Sequence, residues 1–217
     1  MSAQTSRHRA RRSRERAVMR DGFIKVAAVS VPLEVADPAF NAQAVIVGVR
    51  EAAERGARLI VLPELCLTGY TCGDLFYQKR LLDATLEGLR AVAKASSEID
   101  ALICLGLPLT HTGKLYNVAA VLNRGRVLGF VPKRHLPMYG EYYEQRQFTA
   151  GTTLEALVAF DGEQVPFGSH LLFFCEGFEQ LVVGVELCED LWAPSPPSTE
   201  LALAGATVIA NCSASSE

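Results

Sequence analysis

No two cysteines are spaced Cys-x-x-Cys, no histidines stand at ligand spacing, and no Gly-x-x-x-x-Gly-Lys-Ser/Thr phosphate loop occurs in the 217 residues. The first absence argues for reduced thiols over a disulfide framework: three of the six cysteines (Cys66, Cys72, Cys104, Cys175, Cys188, Cys212) lie in or at the end of strand-like runs. The second leaves His8, His111, His135 and His170 far apart, so no metal is expected. The third argues against ATP chemistry in these residues. The apolar stretches are too short and interrupted to span a bilayer, and the amino terminus has no apolar signal core. A cytoplasmic protein without a membrane partner is expected. There is no internal repeat.

What remains is a chain of 49% hydrophobic content, enough for one substantial core. Its charge is unevenly divided. Residues 1–20 hold seven Arg and one Glu, about +6, leaving about −9 on the rest of a chain whose net charge is −3. Arg7, Arg9, Arg11, Arg12, Arg14, Arg16 and Arg20 could form a nucleic-acid-binding arm. The segment has no aromatic or apolar face, so it reads instead as a disordered extension, 1–20, ahead of one domain, 21–217. Met19 is a candidate natural start. No nucleic-acid partner is expected.

Strand and helix signals alternate after Met19. Residues 23–31 read as a strand, and Asp37-Pro38 opens a helix whose apolar spacing runs to Gly56. A strand over 58–63 follows, then a helix within 75–96 with a Leu82, Leu86, Leu89, Ala93 stripe, and a buried strand over 101–107. Asn123-Arg124-Gly125 between apolar runs predicts a hairpin, which makes the sheet mixed. Residues 140–180 give no clear pattern. Pro194, Pro196 and Pro197 forbid immediate helix after Cys188, while 198–204 suits a short helix and 206–211 a strand.

Three apolar runs end in reactive side chains: 59–63 leads to Glu64, 127–132 to Lys133 and 182–187 to Cys188. If the runs are strands of one sheet, a carboxylate, an ammonium and a thiol converge at its carboxyl edge, a set suited to covalent catalysis by cysteine. Each residue alone has a plainer reading, as a solvated lysine, a surface carboxylate or a small core thiol. Glu186, Glu189 and Asp190 would raise the thiol pKa unless a cation offsets them, and Lys133 would be that cation.

Pro63-Glu64-Leu65-Cys66-Leu67-Thr68-Gly69-Tyr70, Lys133-Arg134-His135-Leu136-Pro137 and Glu186-Leu187-Cys188-Glu189-Asp190-Leu191-Trp192 resemble, in order and spacing, the three signatures of the nitrilase or carbon-nitrogen hydrolase superfamily. Residues 68–76, 139–144 and 188–198 are similar to the amino-terminal glutaminase domains of glutamine-dependent NAD(+) synthetases. The resemblance implies an α/β fold, the nitrilase-type four-layer αββα sandwich with mixed sheets, and homo-oligomeric assembly. It implies Cys188 as nucleophile on the carboxamide of L-glutamine, Glu64 as general base and Lys133, with the Glu189 N–H, as oxyanion holder. Glu141, eight residues after Lys133, would orient the lysine. Tyr139 and Ser215 would meet the glutamine, with Tyr70 close to the pocket.

In that family the released ammonia serves a carboxyl-terminal synthetase domain that uses ATP to amidate deamido-NAD; the glutaminase half needs no cofactor. These 217 residues contain no Ser-Gly-Gly-x-Asp-Ser loop of that domain, and the match stops short of the usual nitrilase length, so the expectation is a carboxyl-truncated fragment without the synthetase partner. A stand-alone amidase of the same superfamily, or an inactive binding module, are the alternative readings.

Overall fold

The computed structural model describes residues 22–153 and 155–215. The Arg-rich extension and the candidate start at Met19 lie outside the described residues. The first helix, α1 (Pro38–Glu54), begins as its sequence dictates: the Asp37 carboxylate accepts the Phe40 N–H at 3.0 Å, and Pro38 occupies a first-turn position where no N–H is needed. β1 (Val26–Ala28) precedes it and β2 (Leu59–Val61) follows, both shorter than the apolar runs that announced them. A 3-10 turn over Gly73–Tyr77 leads into α2 (Lys79–Ala95). The buried face of α2 is Leu81, Thr85, Gly88, Leu89, Val92 and Ala93, rotated from the expected leucine stripe. Gly88 sets that rotation: a β-carbon there would lie 3.2 Å from the Pro38 carbonyl oxygen, so the two helices meet along its side.

β3 (Leu102–His111), β4 (Lys114–Asn123) and β5 (Arg126–Pro132) form an antiparallel meander. The β4–β5 turn carries positive φ at Arg124 (48°) and Gly125 (79°), the geometry that matches hairpin twist and the reason glycine stands there. The stretch without a clear pattern folds into β6 (Ala156–Phe160), β7 (Glu163–Phe167) and β8 (Leu172–Phe174). β9 (Val182–Leu187), a 3-10 turn over Cys188–Trp192, α3 (Pro197–Leu203) and β10 (Val208–Cys212) complete the described chain. Pro197 does not delay α3 but starts it, since the first helical position tolerates a missing N–H.

The strands make two sheets, one of seven in the order β1-β2-β3-β4-β5-β7-β6 and one of three in the order β10-β9-β8. One core lies between the large sheet and the helices α1 and α2, joining Val45, Ile46, Val49, Leu89 and Val92 to Ile60, Ile103, Leu105, Ala120 and Phe130. A second lies between the sheets, where Leu59, Cys104, Ala119, Val121 and Val131 meet Val183, Val185, Leu187, Ala210 and Cys212. On the far side of the small sheet, Gly184 receives Leu201 of α3. Helices, sheet, sheet and helix thus stack as four layers. Strands β2 to β5 are covered on both faces, which is why they read as continuous apolar runs.

Candidate active site

β2 and β5 run in the same direction with β3 and β4 between them, and the segments leaving their carboxyl ends bring Glu64 and Lys133 together in a buried pair. The Lys133 ammonium donates to Glu64 Oε1 at 2.6 Å and to Glu144 Oε1 at 2.6 Å, with the lysine side chain fully buried. Its backbone is pinned on both sides, the N–H donating to the Asn117 carbonyl at 2.9 Å and the carbonyl accepting from the Gly151 N–H at 2.7 Å. Asn117 Nδ2 donates to Glu64 Oε1 at 2.7 Å and to Glu144 Oε2 at 3.3 Å, and the Tyr70 hydroxyl donates to Glu144 Oε1 at 2.7 Å. Glu64 Oε2 is buried and has no hydrogen-bond partner among the described residues. One oxygen of this carboxylate is held and the other is available to a proton.

Two carboxylates and one ammonium share a space poor in water, so the charges cannot all be balanced. Burial pushes the Glu64 carboxyl up to about 7; Lys133 opposes that shift and the neighbouring Glu144 adds to it. Burial alone would depress Lys133, but the two carboxylates outweigh it and hold the ammonium charged, above its ordinary range. Burial first, and then Glu144, raise the Tyr70 hydroxyl, which keeps it a donor; Glu64 and Cys188 lie close enough to add to the effect. Tyr70 therefore touches Glu144 and lies within electrostatic reach of Glu64 and Cys188.

Cys188 follows β9 at the start of the 3-10 turn, with φ of +41°. A left-handed backbone at a residue with a side chain costs on the order of 1–3 kcal/mol and persists only where its surroundings impose it. Asp190 supplies part of that support. Its Oδ2 accepts the Leu187 N–H at 3.1 Å, and its Oδ1 accepts the N–H groups of Arg134 at 3.0 Å and His135 at 2.8 Å. One buried carboxylate thus ties the thiol's turn to the loop that begins at Lys133. Burial raises this carboxyl, against the pull of the three backbone donors. Ser213 donates to the Cys188 sulfur at 3.4 Å, and the Ser215 hydroxyl lies 3.6 Å from it.

Two expectations need correction. The three chemical groups do not leave one sheet: Glu64 and Lys133 come from the large sheet and Cys188 from the small one, and the turn of Cys188 is tied to the segment after Lys133 through Asp190 where the sheets pack face to face. The carboxylate against Lys133 is Glu144, eleven residues on, and not Glu141, which is exposed. Glu144 is drawn inward by its N–H bond to the Pro137 carbonyl, 3.1 Å, at the start of a short 3-10 turn over Glu144–Arg146. Asn117 was also missed; its signal is a lone amide within the apolar run Leu115 to Leu122. Tyr139 donates to Glu189 Oε2 at 2.7 Å, and both line a cavity of about 590 Å³ with Arg134, His135 and Trp192. A larger cavity, about 710 Å³, lies between β1 and α1 and holds none of these groups.

A sequence profile of the carbon-nitrogen hydrolases matches residues 25–217. The chain belongs to the carbon-nitrogen hydrolase family. Within it, the chain is 43% identical over 194 residues to the glutamine-dependent NAD(+) synthetase of Mycobacterium tuberculosis, a match covering 89% of this chain and 29% of that protein. To the human glutamine-dependent NAD(+) synthetase it is 29% identical over 185 residues, covering 81% and 26%. The chain thus spans less than a third of the length of the curated relatives it matches. The crystal structure of a glutamine-dependent NAD(+) synthetase from Cytophaga hutchinsonii superposes with a TM-score of 0.77 at 30% identity, over 88% of this chain and 30% of that one. An amidase from Nesterenkonia sp. AN1 shares the carbon-nitrogen hydrolase fold at 21% identity and a TM-score of 0.62, over 88% and 67%. The four layers and mixed sheets described above are therefore those of nitrilase-fold proteins.

Proposed function

We propose that this chain is the glutamine-hydrolysing part of a glutamine-dependent NAD(+) synthetase, with Cys188 as nucleophile. The observation that carries the chemistry is the half-engaged Glu64 carboxylate, buried beside a charged lysine whose following segment is tied by Asp190 to the turn that bears the Cys188 thiol. Glu64 Oε2 takes the proton of Cys188, and the thiolate attacks the side-chain carboxamide carbon of glutamine. Lys133, with the backbone N–H of Glu189, holds the oxyanion; one such donor is commonly worth about 3–4 kcal/mol in the transition state. Glu64 passes its proton to the departing ammonia, leaving a γ-glutamyl thioester, and then activates the water that releases glutamate. Glu144 and Asn117 position the lysine and the base. Glu189 and Tyr139, at the mouth, suit the charged end of the amino acid, and Ser215 and Tyr70 complete the wall.

The ammonia would serve a synthetase domain that uses ATP and deamido-NAD; the names of the relatives support this, as does their greater length. A cytoplasmic homo-oligomer belongs to the same reading. The test is a direct assay of ammonia released from glutamine against small aliphatic amides. Preference for glutamine supports the reading, and preference for the simple amides overturns it in favour of a stand-alone amidase.

Two further results are expected. Only ionised Glu64 can take the thiol proton, so kcat/KM for glutamine should fall as pH drops below about 7. A profile that stays flat from about pH 8 to about 5.5 would remove Glu64 as the base. Glu144→Gln should lower the rate by about a hundredfold or more, because it leaves the buried ammonium with one ionised partner, whereas Glu141→Gln should cost less than about threefold. Equal losses in the two variants would contradict the assignment of Glu144.

A further inference from the structure

The strained turn at Cys188 needs more than Asp190 to hold it, and the register of the small sheet provides the rest. β10 pairs with β9 in parallel so that Asn211 stands opposite Glu186, two residues before the thiol. Val183, Val185 and Leu187 face the inter-sheet core, so Glu186 faces the other way, toward α3. Asn211 Oδ1 accepts the Cys188 N–H at 3.0 Å. Its Nδ2 donates to Glu186 Oε1 at 3.3 Å and lies 3.5 Å from the Cys188 carbonyl oxygen. The amide side chain therefore addresses both backbone groups of the residue whose φ is +41°. Glu186 is buried, and its second oxygen accepts the Ser198 N–H at 3.0 Å in the first turn of α3, so the carboxylate that holds Asn211 is itself held.

We infer that Asn211, fixed by Glu186, is a positioning residue that clamps the peptide of the Cys188 nucleophile in its left-handed conformation. This rests on the reading of Cys188 as nucleophile given above. An amide is suited to the place because it can accept from an N–H and donate to a carboxylate at once, which neither a carboxylate nor an apolar side chain can do. The clamp also commits the Cys188 N–H inward. The oxyanion is left to Lys133 and to the N–H of the following residue.

The test uses polarity reversal. Asn211→Asp keeps the acceptor for the Cys188 N–H but faces Glu186 with a second carboxylate; adding Glu186→Gln restores one donor and one acceptor at the original net charge. Two readouts are taken on the 217-residue chain: the rate of Cys188 alkylation by iodoacetamide, followed by peptide mass spectrometry, and kcat for glutamine. Far-UV circular dichroism reports the folded fraction. N211D and Asn211→Leu are each expected to lower both rates per folded molecule at least about tenfold, as a displaced reacting group does, and the double variant E186Q/N211D to recover to within about threefold of wild type. Rates within twofold of wild type in N211L, no recovery in the double variant, or losses that only track the folded fraction would overturn the clamp. If the alkylation pattern holds while the wild-type chain hydrolyses simple aliphatic amides in preference to glutamine, the clamp stands and the glutaminase reading falls.

Discussion

Replacing Cys188 by alanine is expected to reduce glutamine hydrolysis by at least about a thousandfold while moving the melting temperature by no more than about 2 °C. The sulfur forms the covalent bond of the proposed route, and in units of this kind loss of the nucleophile alone costs nearly as much as loss of the whole set. Its contribution to the fold is small, since sulfur bonds only weakly to the Ser213 and Ser215 hydroxyls, and the hydrogen bonds joining Glu64, Lys133, Glu144 and Asn117 do not pass through it. Lys133→Met should match the loss of rate but add a loss of stability, because Glu64 and Glu144 would then face each other without the ammonium. Joined to a synthetase domain, the alanine variant should still make NAD from free ammonia. A mutant that retains more than a tenth of the wild-type glutaminase rate, or loses ammonia-dependent and glutamine-dependent synthesis alike, would refute Cys188 as nucleophile.

The candidate residues were legible where burial made the sequence simple. β2, β5 and β9 are covered on both faces, so their apolar runs are continuous and the reactive residues at their ends stand out. The division into two sheets was not legible for the same reason: a strand apolar on both sides does not tell whether it shares hydrogen bonds with another run or only packs on it. β6 and β7 were missed because alternate residues, such as Leu157 and Glu163, are exposed, and five residues of mixed polarity resemble a loop. Glu144 and Glu141 flank the same pair of tyrosines, Tyr142 and Tyr143, and nothing periodic separates them. The backbone bond of Glu144 to Pro137 and the bonds its carboxylate accepts from Lys133, Tyr70 and Asn117 hold it inward, and none of these can be read along the chain. Asn211 and Glu186 had no signal apart from polarity at the end of an apolar strand; the interstrand register gives them meaning.

Gly106→Ala is expected to damage both the fold and the base. Gly106 lies within β3, opposite Ala119 of β4, and the chain segment carrying Glu64 is laid directly across it. Its N–H donates to the Pro63 carbonyl at 3.2 Å, and its carbonyl accepts the Leu67 N–H at 3.3 Å. A β-carbon there would lie 2.2 Å from the Leu65 nitrogen and 2.6 Å from both the carbonyl carbon and the Cα of Glu64. These are backbone atoms, with no rotamer through which to yield, so either β3 or the Glu64 segment must move. Overpacking of a core costs about 1–3 kcal/mol, and contact with backbone belongs at or beyond the top of that range. At about 2–4 °C per kcal/mol for a domain of this size, melting should fall by about 6–12 °C. The rate should fall about a hundredfold even well below the new midpoint, since Glu64 must meet the thiol, Lys133 and the substrate within a fraction of an ångström. Gly113→Ala is the control: that residue has φ of +75° with nothing within 4 Å of a β-carbon, so it should lose only about 1–2 kcal/mol and none of the activity of the folded fraction. If the two variants melt alike and hydrolyse glutamine alike, close approach at Gly106 is not what seats the base.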